Sequence, residues 1–183
     1  KIILACLLLV MTGTVYSQRV TQTINDGWKF SLFEGDASTA DFDISGWTDV
    51  SIPHTWNAKD ADDEIPGYFR GKGWYRKVVA VEELIPEQRV YLSFEGANQE
   101  TNVFVNGTFV GNHKGGYSAF TFDVTDYVHA GRNLIAVSVD NSHNPDIAPL
   151  SADFTFFGGI YRDVYLVYTS PVQLSTTHYA SSG

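Results

Sequence analysis

The chain of 183 residues has one cysteine, Cys6, and one methionine, and it carries 12 basic residues against 21 acidic ones. With a single thiol there is no internal disulfide, so the fold must rest on a hydrophobic core. A net charge of −9 argues against a nucleic-acid partner, whose phosphates ask for a basic face, and against an anionic membrane surface. The longest apolar run, residues 2–11, falls well short of the roughly 20 residues that span a bilayer. No amphipathic pattern is long enough for an extended helix. The five histidines never occur four apart, which disfavours a helical zinc site. There is no G-x-S-x-G elbow and no glycine-rich loop opening a helix, so neither a serine nucleophile nor a nucleotide cradle is indicated.

What is present begins with a leader. Lys1 precedes the apolar run, and Val15-Tyr16-Ser17 stands ahead of Gln18. A charged start, an apolar centre and a small residue at the cut describe a secretory signal. Residues 1–17 are therefore expected to be removed and the protein exported, to the periplasm or outside the cell. Cys6 lies ahead of most of the apolar centre, which does not suit a lipid-attachment cysteine, and it is lost with the leader. The remainder, about 165 residues, is long enough for one domain with its own core.

That remainder alternates with the period of strands. Trp28, Phe30 and Leu32 fall on one face of a first such stretch, and Val90, Leu92 and Phe94 on one face of another. Residues 20–24, 46–52, 74–81, 120–124 and 133–139 read the same way, and residues 160–168 read as one continuous strand. Asn106-Gly107 between residues 102–105 and 108–110 is a type I′ hairpin turn, and this also accounts for the asparagine of the Asn-Gly-Thr glycosylation pattern. Residues 125–130 read as a helical turn. About nine short strands with turns between them predict an all-β fold, an antiparallel two-sheet β-sandwich of jelly-roll type. Residues 54–73 form a long acidic and aromatic loop, a length that in a compact domain carries function more often than not.

Chemistry is sparse. Asp60, Asp62, Asp63 and Glu64 are close in sequence, but neighbouring acids on a loop describe a solvated face rather than a catalytic pair. His54, after Pro53, reads as structural. Aromatics make up 14% of the chain, which suits carbohydrate and equally suits strands. The stretch Ser-Ala-Asp-Phe-Thr-Phe-Phe-Gly-Gly-Ile-Tyr-Arg-Asp at 151–163 places one carboxylate, Asp153, among aromatics ahead of two glycines. It reads either as a bulge before a core strand or as a polar group at the rim of a cleft.

Nine segments in order resemble the N-terminal domain of glycoside hydrolase family 2, the β-galactosidase, β-glucuronidase and β-mannosidase group. Among them are Asn25-Asp26-Gly27-Trp28-Lys29-Phe30, Trp47-Thr48-Asp49-Val50-Ser51-Ile52-Pro53-His54-Thr55-Trp56-Asn57, Gly73-Trp74-Tyr75-Arg76, Val103-Phe104-Val105-Asn106-Gly107, Gly115-Gly116-Tyr117-Ser118-Ala119-Phe120 and Gly158-Gly159-Ile160-Tyr161-Arg162-Asp163-Val164. The match runs over nearly all of residues 25–168. The resemblance implies a galactose-binding-domain-like jelly roll that walls the cleft and binds the terminal, non-reducing sugar. It implies no catalytic residue in this chain, since both glutamates of such enzymes lie in a later barrel domain.

By the same resemblance, residues 18–169 form the sugar-binding domain, and residues 170–183 are a linker and the start of an immunoglobulin-like second domain. The partners implied are a terminal β-galactoside and the other domains of a longer chain. Asp153, six residues before Gly159, is the expected sugar ligand. In some galactosidases such an aspartate also ligates a monovalent cation; no other cofactor is expected. Asn141, Asp60 and Asp62 are lesser candidates for the sugar rim. Trp56 and Tyr68 could offer flat faces to a pyranose, and Arg162 is expected to pair with a nearby acid. Two alternatives stay open: a free-standing jelly-roll carbohydrate-binding module, or the same domain from a β-glucuronidase or β-mannosidase.

Overall fold

Strand β6, Glu100–Val105, shows the rule that builds the molecule: Thr101, Val103 and Val105 are buried, while Glu100, Asn102 and Phe104 between them are not. A pleated strand sends successive side chains to opposite faces, so strict alternation buries one face against a second sheet. In the computed structural model, which describes residues 19–60, 67–151 and 153–173, ten strands form two antiparallel sheets. The four-stranded sheet has the order β1 (Val20–Thr23), β10 (Val164–Thr169), β5 (Arg89–Phe94), β8 (Phe120–Asp123). The six-stranded sheet runs β3 (Thr48–Val50), β2 (Trp28–Leu32), β4 (Lys72–Val81), β9 (Gly131–Asp140), β6, β7 (Thr108–Lys114). This is the antiparallel jelly-roll sandwich that the alternation predicts, and residues 125–127 form a single turn of 3₁₀ helix.

The core lies between the sheets. Trp28, Tyr75, Val103, Ile135 and Val137 come from the six-stranded sheet and meet Val90, Leu92, Phe94, Val164 and Leu166 from the other. Each such side chain contributes about 1.5–3 kcal/mol when fully withdrawn from water. The longest ladder, Lys72↔Asp140 through Val81↔Gly131, places β4 and β9 at the centre of their sheet. Their outer face is covered as well. Ala37, Phe42 and Trp47, from the loop between β2 and β3, lie over Trp74 and Ala136 in a second small cluster.

The Asn106-Gly107 turn has φ of 51° and 81°, as a type I′ hairpin requires. One strand is shorter than the alternation suggests. Regular pairing begins at Val164 rather than at Ile160. The backbone before it serves other partners: Gly159, at φ 120°, forms an isolated bridge with Asn98, and the Ile160 carbonyl accepts from the His54 amide at 2.8 Å. Asn25 then starts the strand, its Oδ1 accepting from the Val164 amide and its Nδ2 donating to Asp163, both at 2.9 Å. The result gathers the segments around residues 54–60, 67–71, 98–99, 115–117, 141–151 and 153–161 at one end of the sandwich.

Candidate functional site

At this end the backbone is irregular and partly buried, and each buried polar group outside the sheets needs a partner of its own. Asparagine side chains supply them. Asn57, Asn98 and Asn141 are 2%, 2% and 1% exposed. Asn141 Nδ2 donates to the Phe156 carbonyl at 3.0 Å, Asn98 Nδ2 to the Phe157 carbonyl at 2.9 Å, and Asn57 Oδ1 accepts from the Gly158 amide at 2.6 Å. The same side chains reach the loop across from them. Asn141 Oδ1 accepts from the Gly71 amide at 2.9 Å, and Asn57 Nδ2 donates to the Phe69 carbonyl at 2.7 Å. Asn57 and Asn141 also touch each other, Nδ2 of Asn141 donating to Oδ1 of Asn57 at 3.3 Å.

Asn141 is thus not a rim residue. It is enclosed, and both ends of its amide are taken by protein groups, so nothing of it faces a sugar. Asp60 is likewise a brace: its Oδ2 accepts from Asn57 Nδ2 at 2.7 Å and from the Phe69 amide at 2.8 Å, closing the loop between them. Asp62 lies outside the described residues. Asp153 differs from both. It is exposed, and among the described residues its carboxylate has no hydrogen-bond or ion-pair partner.

The aromatic groups divide in a similar way. Trp56 is stacked on Phe30 with ring centroids 5.8 Å apart and pressed against Gly73 and Gly158, so it is packing rather than a sugar platform. The Tyr68 hydroxyl accepts from Arg70 Nε at 2.9 Å. Arg162 makes no ion pair among the described residues; its guanidinium lies over the Tyr161 ring, 5.4 Å from the centroid. His54 is structural: its Nδ1 is 2.8 Å from the buried Tyr75 hydroxyl, and its ring lies 4.7 Å from that of Phe30. Burial holds the His54 imidazole below its ordinary pKa and pushes the Tyr75 phenol well above its own.

Outside these, Tyr117, Phe154, Phe157 and Tyr161 line an apolar hollow of about 220 Å³, with Asn98 and Thr155 completing it. Tyr117, Phe154 and Phe157 are each about half exposed. This end of the sandwich therefore presents the exposed Asp153 carboxylate beside aromatic surface, over a layer of buried amides. The part played by Asn57 and Asn98 could not be read from the sequence. Asn57 does stand within the His-Thr-Trp-Asn segment of the family resemblance, but its partners are up to 101 positions away.

Residues 21–171 match the family model described as glycosyl hydrolases family 2, sugar binding domain. The chain belongs to glycoside hydrolase family 2. It is 38% identical over 180 residues to a β-glucuronidase of Bacteroides fragilis, covering 96% of this chain and 24% of that protein. To a β-galactosidase of Thermoanaerobacter pseudethanolicus it is 40% identical over 157 residues, covering 80% of this chain and 19% of that one. Among solved structures, Bacteroides uniformis β-glucuronidase superimposes with a TM-score of 0.77 at 46% identity, over 84% of this chain and 18% of its own. The chain thus spans about a fifth to a quarter of the relatives it matches. Its ten strands are the sugar-binding N-terminal domain of this family, and the jelly roll is shared with these neighbours.

Proposed function

We propose that this domain walls the sugar site of an exported, exo-acting glycosidase that hydrolyses terminal β-linked sugars with retention. The observation that carries this reading is Asp153, an exposed carboxylate without a partner among the described residues, six residues ahead of Gly159 in the sequence. A carboxylate accepts hydrogen bonds from sugar hydroxyls, and such charge-assisted bonds are roughly twice as strong as neutral ones. The chemistry itself, attack by one carboxylate and protonation by another about 5–5.5 Å away, belongs to a later part of the longer chain. Residues 1–17 act as the leader, and residues 170–183 lead into the following domain.

The relatives favour a β-glucuronide as substrate, since proteins of that name match at 38% and 46% identity. A glucuronate carboxylate would repel Asp153, so Asp153 faces the hydroxyl edge of the ring and a cation elsewhere in the enzyme takes the acid. A β-galactoside is the second reading, favoured by the 40% identity to a β-galactosidase. A monovalent cation beside the sugar would find one free carboxylate in Asp153. The described residues contain no group of three acids or histidines around it, so its other ligands would come from the rest of the chain.

The test is the full-length enzyme assayed on p-nitrophenyl β-D-glucuronide and β-D-galactoside, as wild type and as Asp153→Ala. Loss of a charged hydrogen bond worth about 1.5–3 kcal/mol lowers kcat/KM roughly ten- to a hundredfold on the true substrate. Unchanged kinetics on both glycosides would remove Asp153 from the sugar site.

A further inference from the structure

Asn57, Asn98 and Asn141 bind three consecutive residues of one loop, at Gly158, Phe157 and Phe156. We infer that these three amides are positioning residues for substrate binding, holding the loop so that Asp153 is presented in one place. This rests on the reading of Asp153 as a sugar contact and adds to it the device that sets its position.

Residues 153–158 belong to neither sheet, so no ladder fixes them. The segment is instead held by side chains from outside it: Asn57 lies in the loop before β4, Asn98 between β5 and β6, and Asn141 directly after β9. An amide suits this task because it offers donors and an acceptor from one neutral group, and a neutral group is far cheaper to bury than a charge. The grip reaches toward Asp153 through rings. Phe156 is buried beneath the Arg70 guanidinium, 4.9 Å from its centroid, and Phe154 packs on Phe156 with centroids 5.3 Å apart.

Asn98 shows that the arrangement is not only packing. Its Oδ1 is buried and has no hydrogen-bond partner among the described residues, while Gly116 lies so close that a Cβ there would fall 2.1 Å from that oxygen. An unsatisfied buried acceptor is destabilising. The Asn98 side chain bears that cost at one end while its other end holds the Phe157 carbonyl.

The decisive experiment is a double-mutant cycle in the full-length enzyme with Asn98→Ala and Asp153→Ala, read as kcat/KM on the preferred p-nitrophenyl glycoside below the melting point of every variant. Groups that act through one another give non-additive effects. Asn98→Ala is expected to lower kcat/KM about tenfold on its own, and by less than about twofold when Asp153 is already alanine. If the double variant shows the full product of the two single losses, or if Asn98→Ala alone changes nothing, the positioning role is wrong while Asp153 keeps its place. If Asp153→Ala is itself silent, the sugar-contact reading falls and the positioning role with it. Should Asn98→Ala not fold, Asn98→Leu, which keeps the volume and removes the orphaned oxygen, enters the same cycle with the same outcomes.

Discussion

Gly158 and Trp56 are packed so closely that a Cβ on Gly158 would lie 2.0 Å from the indole Cζ2 and 2.3 Å from Cε2. The glycine is there for space rather than for a turn: it lets the chain slide under a tryptophan that is itself wedged between Phe30 and Gly73. Asn141 Cγ would be 2.8 Å from the same Cβ, so one methyl group would press on both the aromatic stack and the amide clamp.

Gly158→Ala is therefore expected to destabilise the domain by about 1–3 kcal/mol, the usual cost of overpacking a filled site. Urea unfolding measures it. Adding Trp56→Leu should recover part of the loss, because the clash is with the ring and not with the backbone. A Gly158→Ala variant as stable as wild type would mean that the loop can move aside freely.

The histidines set the response to acid. Burial holds His54 and His113 below the ordinary imidazole value of 6.5; for His113 a hydrogen bond with Gly115 opposes the shift. The unfolded chain takes up these protons as pH falls through about 6.5, whereas the folded chain does so only at lower pH. Between the two values the unfolded state binds more protons, so stability is full above 6.5 and declines as pH falls below it. Thermal melts at pH 8 and pH 5 should show the lower melting temperature at pH 5, and His54→Gln should reduce the difference. A melting temperature that rises on acidification over this range would contradict the assignment. Asp36, Asp41 and Asp43, held below 3.8 mainly by hydrogen bonds from Ser38, Thr39 and Ser45, add their own loss only at more acid pH.

Arg76 is 3% exposed and has no ion pair among the described residues. Its guanidinium donates to the Ala37 carbonyl at 2.8 Å and lies 5.8 Å from the Phe42 ring centroid, pinning the loop that covers the outer face of β4 and β9. Arg76→Ala should cost about 1–3 kcal/mol and leave that carbonyl without a partner. Limited proteolysis should then cut within residues 36–47 faster than in wild type. Equal cleavage of the two proteins would show that the loop is held by Trp47 and Phe42 alone.

Much of the fold was legible in advance because alternation is a local property. The inward Val90, Leu92 and Phe94 of β5, and the hairpin at Asn106-Gly107, follow from two-residue spacing and from the backbone that only such turn residues adopt readily. The strand read as starting at Ile160 failed for the converse reason. Gly159 and Ile160 are claimed by Asn98 and His54, partners from elsewhere in the chain that no local pattern reveals. The candidate site divides along the same line. The family resemblance singled out Asp153 by its place before Gly159, and the fold leaves it exposed; Asn141, named as a lesser rim candidate, is enclosed.

The sequence by itself determined most of the strands, the two-layer architecture and the family, since each depends on residues near one another or on an ordered string of them. Only the tertiary structure decided which polar residues are free and which are consumed. Asn57, Asn98, Asn141 and Asp60 have ordinary polar side chains, and each could in principle face a ligand. The fold brings buried carbonyls and amides from distant segments against them, and their hydrogen bonds are made inside, although Asn98 Oδ1 is left without a partner among the described residues. Of the carboxylate and amide candidates described, Asp153 alone has no hydrogen-bond or ion-pair partner among the described residues.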